Sequence, residues 1–173
     1  MTATTLRNAM SGLLVLVGCM VAPRAWAAAG DDCTVQVTGV DFGTYDATSG
    51  SPATGQGQFV IDCNRNDTFV TISLGIGGGT TYATRRMVQG TTDFLYYNLY
   101  LEPTYSTIFG NGTGGSSSVV CRTGTGNNQN GCTGSNPAGS TRRTVRPFYG
   151  LMPASQNVIG GLYTDNVTYT ITF

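Results

Sequence analysis

Four cysteines, Cys33, Cys63, Cys121 and Cys132, are the residues after Ala27 whose type and spacing point to covalent chemistry. An even number behind an export signal reads as two disulfides. Three pairings are possible. Hairpin-like chain paths favour Cys33–Cys63 and Cys121–Cys132, because each pair joins ends that such a path brings together. Each bridge should stabilise by about 3–4 kcal/mol through the loop entropy it removes from the unfolded chain. The same four residues suit a metal poorly. The sequence has no His and no C-x-x-C spacing, so no metal site is expected.

Other chemistry finds no residues. Without His there is no Ser-His-Asp or Cys-His site. Without Lys there is no Schiff-base or Ser-Lys nucleophile. Asp31 and Asp32 are adjacent acids at the expected mature N-terminus, while Asp41/Asp46 and Asp62/Asp67 flank turns. Nothing in that placement points to a two-carboxylate glycosidase. Gly77-Gly78-Gly79 has no Lys nearby and no helical pattern after it, so it reads as a flexible turn rather than a phosphate loop. No catalytic residue and no cofactor are expected. The sequons at Asn66, Asn111 and Asn166 read as chance, since a glycan on the last would obstruct the strand it begins.

Composition sets the compartment. Arg7 and the apolar run Leu13–Ala22 precede an A-x-A site, Ala25-Trp26-Ala27. Residues 1–27 therefore read as a signal peptide and 28–173 as one domain. A competing reading takes Leu16-Val17-Gly18-Cys19 as similar to a lipobox, with a lipid anchor on Cys19; the A-x-A site is then unused. Setting aside Arg7 and Arg24 leaves seven Arg against nine acidic residues, a net charge of −2. That balance offers no footprint for nucleic acid.

The elements that must position the cysteines are strands. Twenty-five Gly and abundant Thr and Ser argue against helices. Alternating apolar residues predict strands over 33–40, 58–63 and 68–76, with 47–57 as a turn-rich connection. Residues 82–88 read as a short edge strand, on account of Arg85 and Arg86. Residues 93–102 are apolar or aromatic on both faces, which predicts a central strand or a contact surface. Its four aromatics in seven residues could stack sugars, although buried packing is the commoner use. Residues 106–110 form a further short strand. Residues 111–140 form a long polar loop, stapled by Cys121–Cys132. Arg142, Arg143 and Arg146 read as solvated or edge charges. The chain ends on LYTDNVTYTITF, in which Val167, Tyr169, Ile171 and Phe173 share one face. Eight or nine short strands with no helix describe an antiparallel β-sandwich.

These pieces resemble the spore coat protein U domain family, shared with subunits of archaic chaperone–usher pili. The matching residues are Cys33, Phe42-Gly43-x-Tyr45, Cys63, Arg86-Met87, Tyr97-Asn98-Leu99-Tyr100, Phe109-Gly110-Asn111-Gly112, Tyr149-Gly150 and Gly161-x-Tyr163-x-Asp165-x-Val167. The resemblance implies an incomplete immunoglobulin-like antiparallel β-sandwich, all-β, whose final strand comes from a partner chain. It implies a non-catalytic, exported subunit of a surface fibre or coat. The partners it implies are a periplasmic chaperone, an outer-membrane usher and neighbouring subunits, joined by donor-strand complementation. The family's cysteine pair corresponds to Cys33–Cys63. The groove residues it implies are Val167, Tyr169, Ile171 and Phe173. About four open apolar sites, at 1.5–3 kcal/mol each, amount to roughly 6–12 kcal/mol, comparable to a domain's whole stability.

One departure matters. Only Ala28-Ala29-Gly30-Asp31-Asp32 precede Cys33 after the expected cleavage, with no alternating apolar extension to donate. The chain is thus expected to accept a strand without giving one, as a distal tip subunit does. A second reading is a surface-glycan-binding adhesin, with Tyr96, Tyr100, Tyr105 and the loop 111–140 as its contact surface.

Overall fold

The computed structural model describes residues 32–173. The expected leader, with Cys19, and residues 28–31 lie outside them. The described chain forms strands β1 (Cys33–Thr38), β2 (Ala53–Cys63), β3 (Phe69–Leu74), β4 (Arg86–Gln89), β5 (Asp93–Tyr96), β6 (Asn98–Tyr100), β7 (Val119–Arg122), β8 (Thr133–Ser135), β9 (Arg142–Met152) and β10 (Tyr169–Thr172). All named pairings are antiparallel. One sheet runs β1-β2-β9-β6, with β8 also on β9; the second runs β10-β3-β7; β4 and β5 form a separate ribbon. Among the described residues no helix is long and apolar enough to cross a membrane.

The frame is the β2–β9 pair, in register from Ala53 opposite Met152 to Cys63 opposite Arg142. Period-two alternation turns Phe59 and Ile61 of β2 and Phe148 of β9 inward, where no part of them meets solvent. The rings of Phe59, Phe148 and Phe109 meet pairwise at 5.3–6.2 Å, tilted or edge to face, and form the centre of the core. Val70, Ile72 and Leu74 of β3 close it from the other sheet.

Both expected disulfides are present, Cys33–Cys63 and Cys121–Cys132. The first joins directly opposed residues at the end of the β1–β2 ladder. The second closes an eleven-residue separation within the polar loop. That loop is more ordered than its composition predicts, since it contains β7 and β8.

Four other expectations change. Ala53–Gly57 belongs to β2 rather than to a turn, because β9 pairs with it throughout. Residues 93–102 do not form one strand. The chain breaks at Tyr97, whose N–H bonds to the carbonyl of Arg85, and β5 and β6 then join different sheets. Both faces of the segment are apolar because its two halves face different neighbours. Tyr82–Thr84 is a 3-10 turn, and residues 106–110 contribute only isolated bridges through Ile108 and Phe109.

The arginines divide in the same way. Arg143 keeps a partly exposed side chain, although β9 is paired on both sides there, and grips Asp62 across β2–β9 with two bonds of 2.6 and 2.7 Å. Arg85 is 0% exposed rather than at an edge. Its guanidinium donates to Asn98 Oδ1 at 2.8 Å and to the carbonyls of Gly75 and Phe109 at 2.7 and 2.6 Å. Those bonds compensate the burial that pushes the guanidinium below its usual pKa range. Arg146 is buried as well.

Candidate functional site

The two sheets face each other unevenly. Phe59 on β2 and Tyr169 on β10 meet edge to face at 5.6 Å, so β10 lies over the β1–β2 side of the sandwich. Among the described residues, β1 has one strand neighbour, β2, and β10 has one, β3. Each therefore presents an unpaired row of backbone N–H and C=O groups. Their inward side chains are also less covered than those of the central strands. Val35 and Val37 of β1, with Tyr169 and Ile171 of β10, are half-buried and pack against the core.

Beyond the ends of both strands the opening continues as two cavities. One, of about 250 Å³, has Val40, Phe42, Met87, Leu99, Asp165 and Val167 among its lining residues. The other, of about 450 Å³, shares Val40, Phe42, Met87 and Tyr163 with it and extends to Val158. The segment after β1 and the segment before β10 thus both line this opening, with apolar residues and with Asp41, Thr164 and Asp165.

Local bonds fix the walls. Asp165 accepts from Tyr97 Oη at 2.6 Å and from the Gly78 N–H at 2.8 Å. Burial, then the bond to Asp165, pushes the Tyr97 phenol well above its ordinary pKa. Val88 and Thr164 exchange backbone bonds of 2.9 and 3.2 Å, which tie the ribbon to the chain entering β10. At the far end Gln156 acts as a one-residue strand. Its side-chain oxygen accepts from the Tyr96 N–H at 2.7 Å and its amide donates to the Tyr96 carbonyl at 2.8 Å. Tyr45 Oη bridges the Pro153 carbonyl and the Gln156 N–H.

The expected groove residues grade in exposure along the terminal segment, and of the four only Val167 lines one of the two cavities. Val167 is 3% exposed, Tyr169 and Ile171 are half-buried, and Phe173 is 50% exposed at the end. Val40 and Phe42, which line both cavities, and Val35 and Val37, half-buried on β1, were not assigned to a groove from the sequence. The alternation of β1 was visible there, but alternation does not tell an edge strand from a central one. The three tyrosines of the glycan reading divide. Tyr100 and Tyr105 meet edge to face at 5.6 Å, whereas Tyr96 belongs to the β4–β5 ribbon.

The comparisons with known proteins agree with this architecture. The family model described as Spore Coat Protein U domain matches residues 19–170. "Protein U" of Myxococcus xanthus is 33% identical over 146 residues, covering 78% of this chain and 71% of that protein. Among solved structures, a chain of the CsuC–CsuE chaperone–tip adhesion subunit pre-assembly complex, from the archaic chaperone-usher Csu pili of Acinetobacter baumannii, superposes with a TM-score of 0.55 at 20% identity. The match covers 83% of this chain and spans 40% of the length of that one, so it speaks to the immunoglobulin-like fold. With a family model matched over most of its length and a relative one-third identical, this chain belongs to the Spore Coat Protein U domain family.

Proposed function

We propose that the chain is an exported, non-catalytic structural subunit of a surface fibre or coat. Its cleft between β1 and β10 takes up an extended strand from another protein. The first donor is a periplasmic chaperone; a neighbouring subunit replaces it at an outer-membrane usher. One observation supports the reading: among the described residues β1 and β10 each have a single strand neighbour, and their inward residues Val35, Val37, Tyr169 and Ile171 are only half-buried where they pack against the core. A strand laid there would satisfy backbone groups on both edges and place alternate side chains against the core. The chaperone–subunit pairing of the solved relative supports the class of partner.

The test is co-expression with a chaperone of this class, followed by exchange for an alternating apolar peptide. A soluble binary complex is expected, and the peptide-filled form should melt well above the empty one. A monomer that is stable alone, and whose melting ignores both partners, would overturn the proposal.

A second reading, a glycan-binding adhesin, is favoured by the Tyr100–Tyr105 pair, since Tyr100 lies opposite Tyr149, which lines a cavity of mixed polarity on the opposite edge of the sandwich. Complemented protein on a glycan array tests it.

A further inference from the structure

The third cavity lies away from the cleft. It measures about 510 Å³ and occupies a gap in the edge of the larger sheet. β8 pairs with Arg143–Val145 of β9 and β6 with Tyr149–Leu151, so Arg146–Phe148 have no strand partner on that side. The stapled loop closes the gap through Asn130 and Gly131.

At its wall sits Arg146, 4% exposed. Nη1 donates to the Gly131 carbonyl at 3.2 Å and Nη2 to the Leu101 carbonyl at 2.8 Å. Both partners also line the cavity. Nε has no partner, and each terminal nitrogen carries a second N–H. Gly131 is shaped to this guanidinium. Its φ is +72°, and a Cβ there would stand 2.5 Å from Nη1. Glu102 lines the same space, its Oε2 held by the Thr107 N–H and the Ser106 hydroxyl. Burial lowers the Arg146 pKa and the charge of Glu102 opposes that shift, so the two act on each other.

The cavity therefore combines one positive and one negative group, the amide of Asn130, and the faces of Tyr149, Pro103 and Pro147. Its net charge is zero. That balance disfavours a free anion or cation and suits a ring that accepts from a guanidinium, donates to a carboxylate and stacks on an aromatic face. The volume lies within the usual range for small-ligand sites.

Resting on the adhesin reading, we propose that this cavity is a subsite for a neutral saccharide residue, with Arg146 and Glu102 binding its hydroxyls and Tyr149 its apolar face.

The experiment uses strand-complemented full chain on a glycan array. The best hit is then titrated against wild type, Glu102→Gln and Tyr149→Ala by calorimetry, with melting temperatures as the control for folding. Glu102→Gln keeps an acceptor for Thr107. The expected result is a neutral glycan whose affinity falls about tenfold or more in each variant, with melting nearly unchanged in Glu102→Gln and lowered by a few degrees in Tyr149→Ala, whose half-buried ring also packs on the sheet, both variants being folded at the titration temperature. A hit whose affinity neither variant moves would overturn the subsite and leave the adhesin reading standing. Binding confined to acidic glycans would overturn the neutral assignment. A blank array would remove the adhesin reading and the subsite together.

Discussion

Phe59 and Tyr169 meet across the sandwich with ring centroids 5.6 Å apart, one sealed in the core and the other half-buried on the terminal strand. The contact joins the part of the core that is complete to the part that is open.

Their energies should differ accordingly. Phe59→Ala removes a fully enclosed ring and should cost about 3–5 kcal/mol in urea unfolding of the complemented chain. In the uncomplemented chain Tyr169→Ala should cost about 1–2 kcal/mol, since part of its surface already meets water. Equal losses from the two variants in that uncomplemented chain would show that the cleft is closed in solution.

Capture of a strand should follow the alternation of the two rims. Val35→Asp and Ile171→Asp place a charge inside the cleft and should weaken binding of an alternating apolar peptide by about ten- to a hundredfold, from the 1.5–3 kcal/mol each apolar contact carries. Thr34→Asp and Thr170→Asp point outward and should leave it unchanged. Phe173→Asp should weaken capture while costing under about 1 kcal/mol of stability, because that ring is already half exposed. Fluorescence titration of the five variants checks the pattern, and equal effects of inward and outward charges would contradict a lined cleft.

The sandwich and both disulfides were readable because each depends on local pattern: alternation and cysteine spacing. The wall on β1 was not, since edge position is a property of the assembled sheet. Arg85 and Arg146 misled for the same reason. A charged residue reads as exposed until carbonyls such as those of Gly75, Phe109 and Leu101 converge on it, and that convergence is tertiary. Gly55 and Gly57 suggested a turn, although their smallness serves packing inside a strand.

The two disulfides should separate in function. Removing Cys33–Cys63, which spans 30 residues, should cost about 3–4 kcal/mol, and removing Cys121–Cys132, which spans 11, about 3 kcal/mol. The first also anchors the start of β1, one rim of the cleft. The paired Cys33→Ser/Cys63→Ser variant should therefore lose peptide binding beyond its loss of stability. The Cys121→Ser/Cys132→Ser variant should retain it. Peptide titration at a temperature where both variants are folded distinguishes them.

Alkaline pH should open the same region. Burial and the bond to Asp165 hold the Tyr97 phenol neutral, with its folded pKa above the unfolded value near 10. The folded state thus keeps its proton longer than the unfolded one. The stabilisation is complete below about pH 10 and is lost as pH rises through the folded value. Unfolding free energy measured from pH 8 to 11.5 should fall at the upper end. Tyr97→Phe should flatten part of that fall, while costing about 1.5–3 kcal/mol at neutral pH for the bond to a carboxylate. An unchanged slope in Tyr97→Phe would assign the fall to other groups.

The wall formed by Val40 and Phe42 rests on two glycines that face each other, Gly55 of β2 and Gly150 of β9. A Cβ on Gly55 would stand 2.6 Å from Val40 Cγ1 and from the Asp41 carbonyl oxygen; on Gly150, 2.6 Å from Phe42 Cζ and 2.7 Å from Val40 Cγ1. The segment after β1 thus lies directly on bare backbone, and the cleft has its depth because neither position carries a side chain. Gly150→Ala should lift Phe42 and Val40 from the sheet, at about 1–3 kcal/mol for overpacking. Because the displaced residues line both cavities of the cleft, the same variant should lose strand binding by more than its melting shift accounts for. Gly90→Ala, in the turn between β4 and β5 and outside both cavities, would meet nothing within 4 Å and would strain only a φ of +61°. It should therefore cost stability without that excess loss of binding. Similar binding by the two variants, once corrected for stability, would show that Val40 and Phe42 do not form the wall that the incoming strand meets.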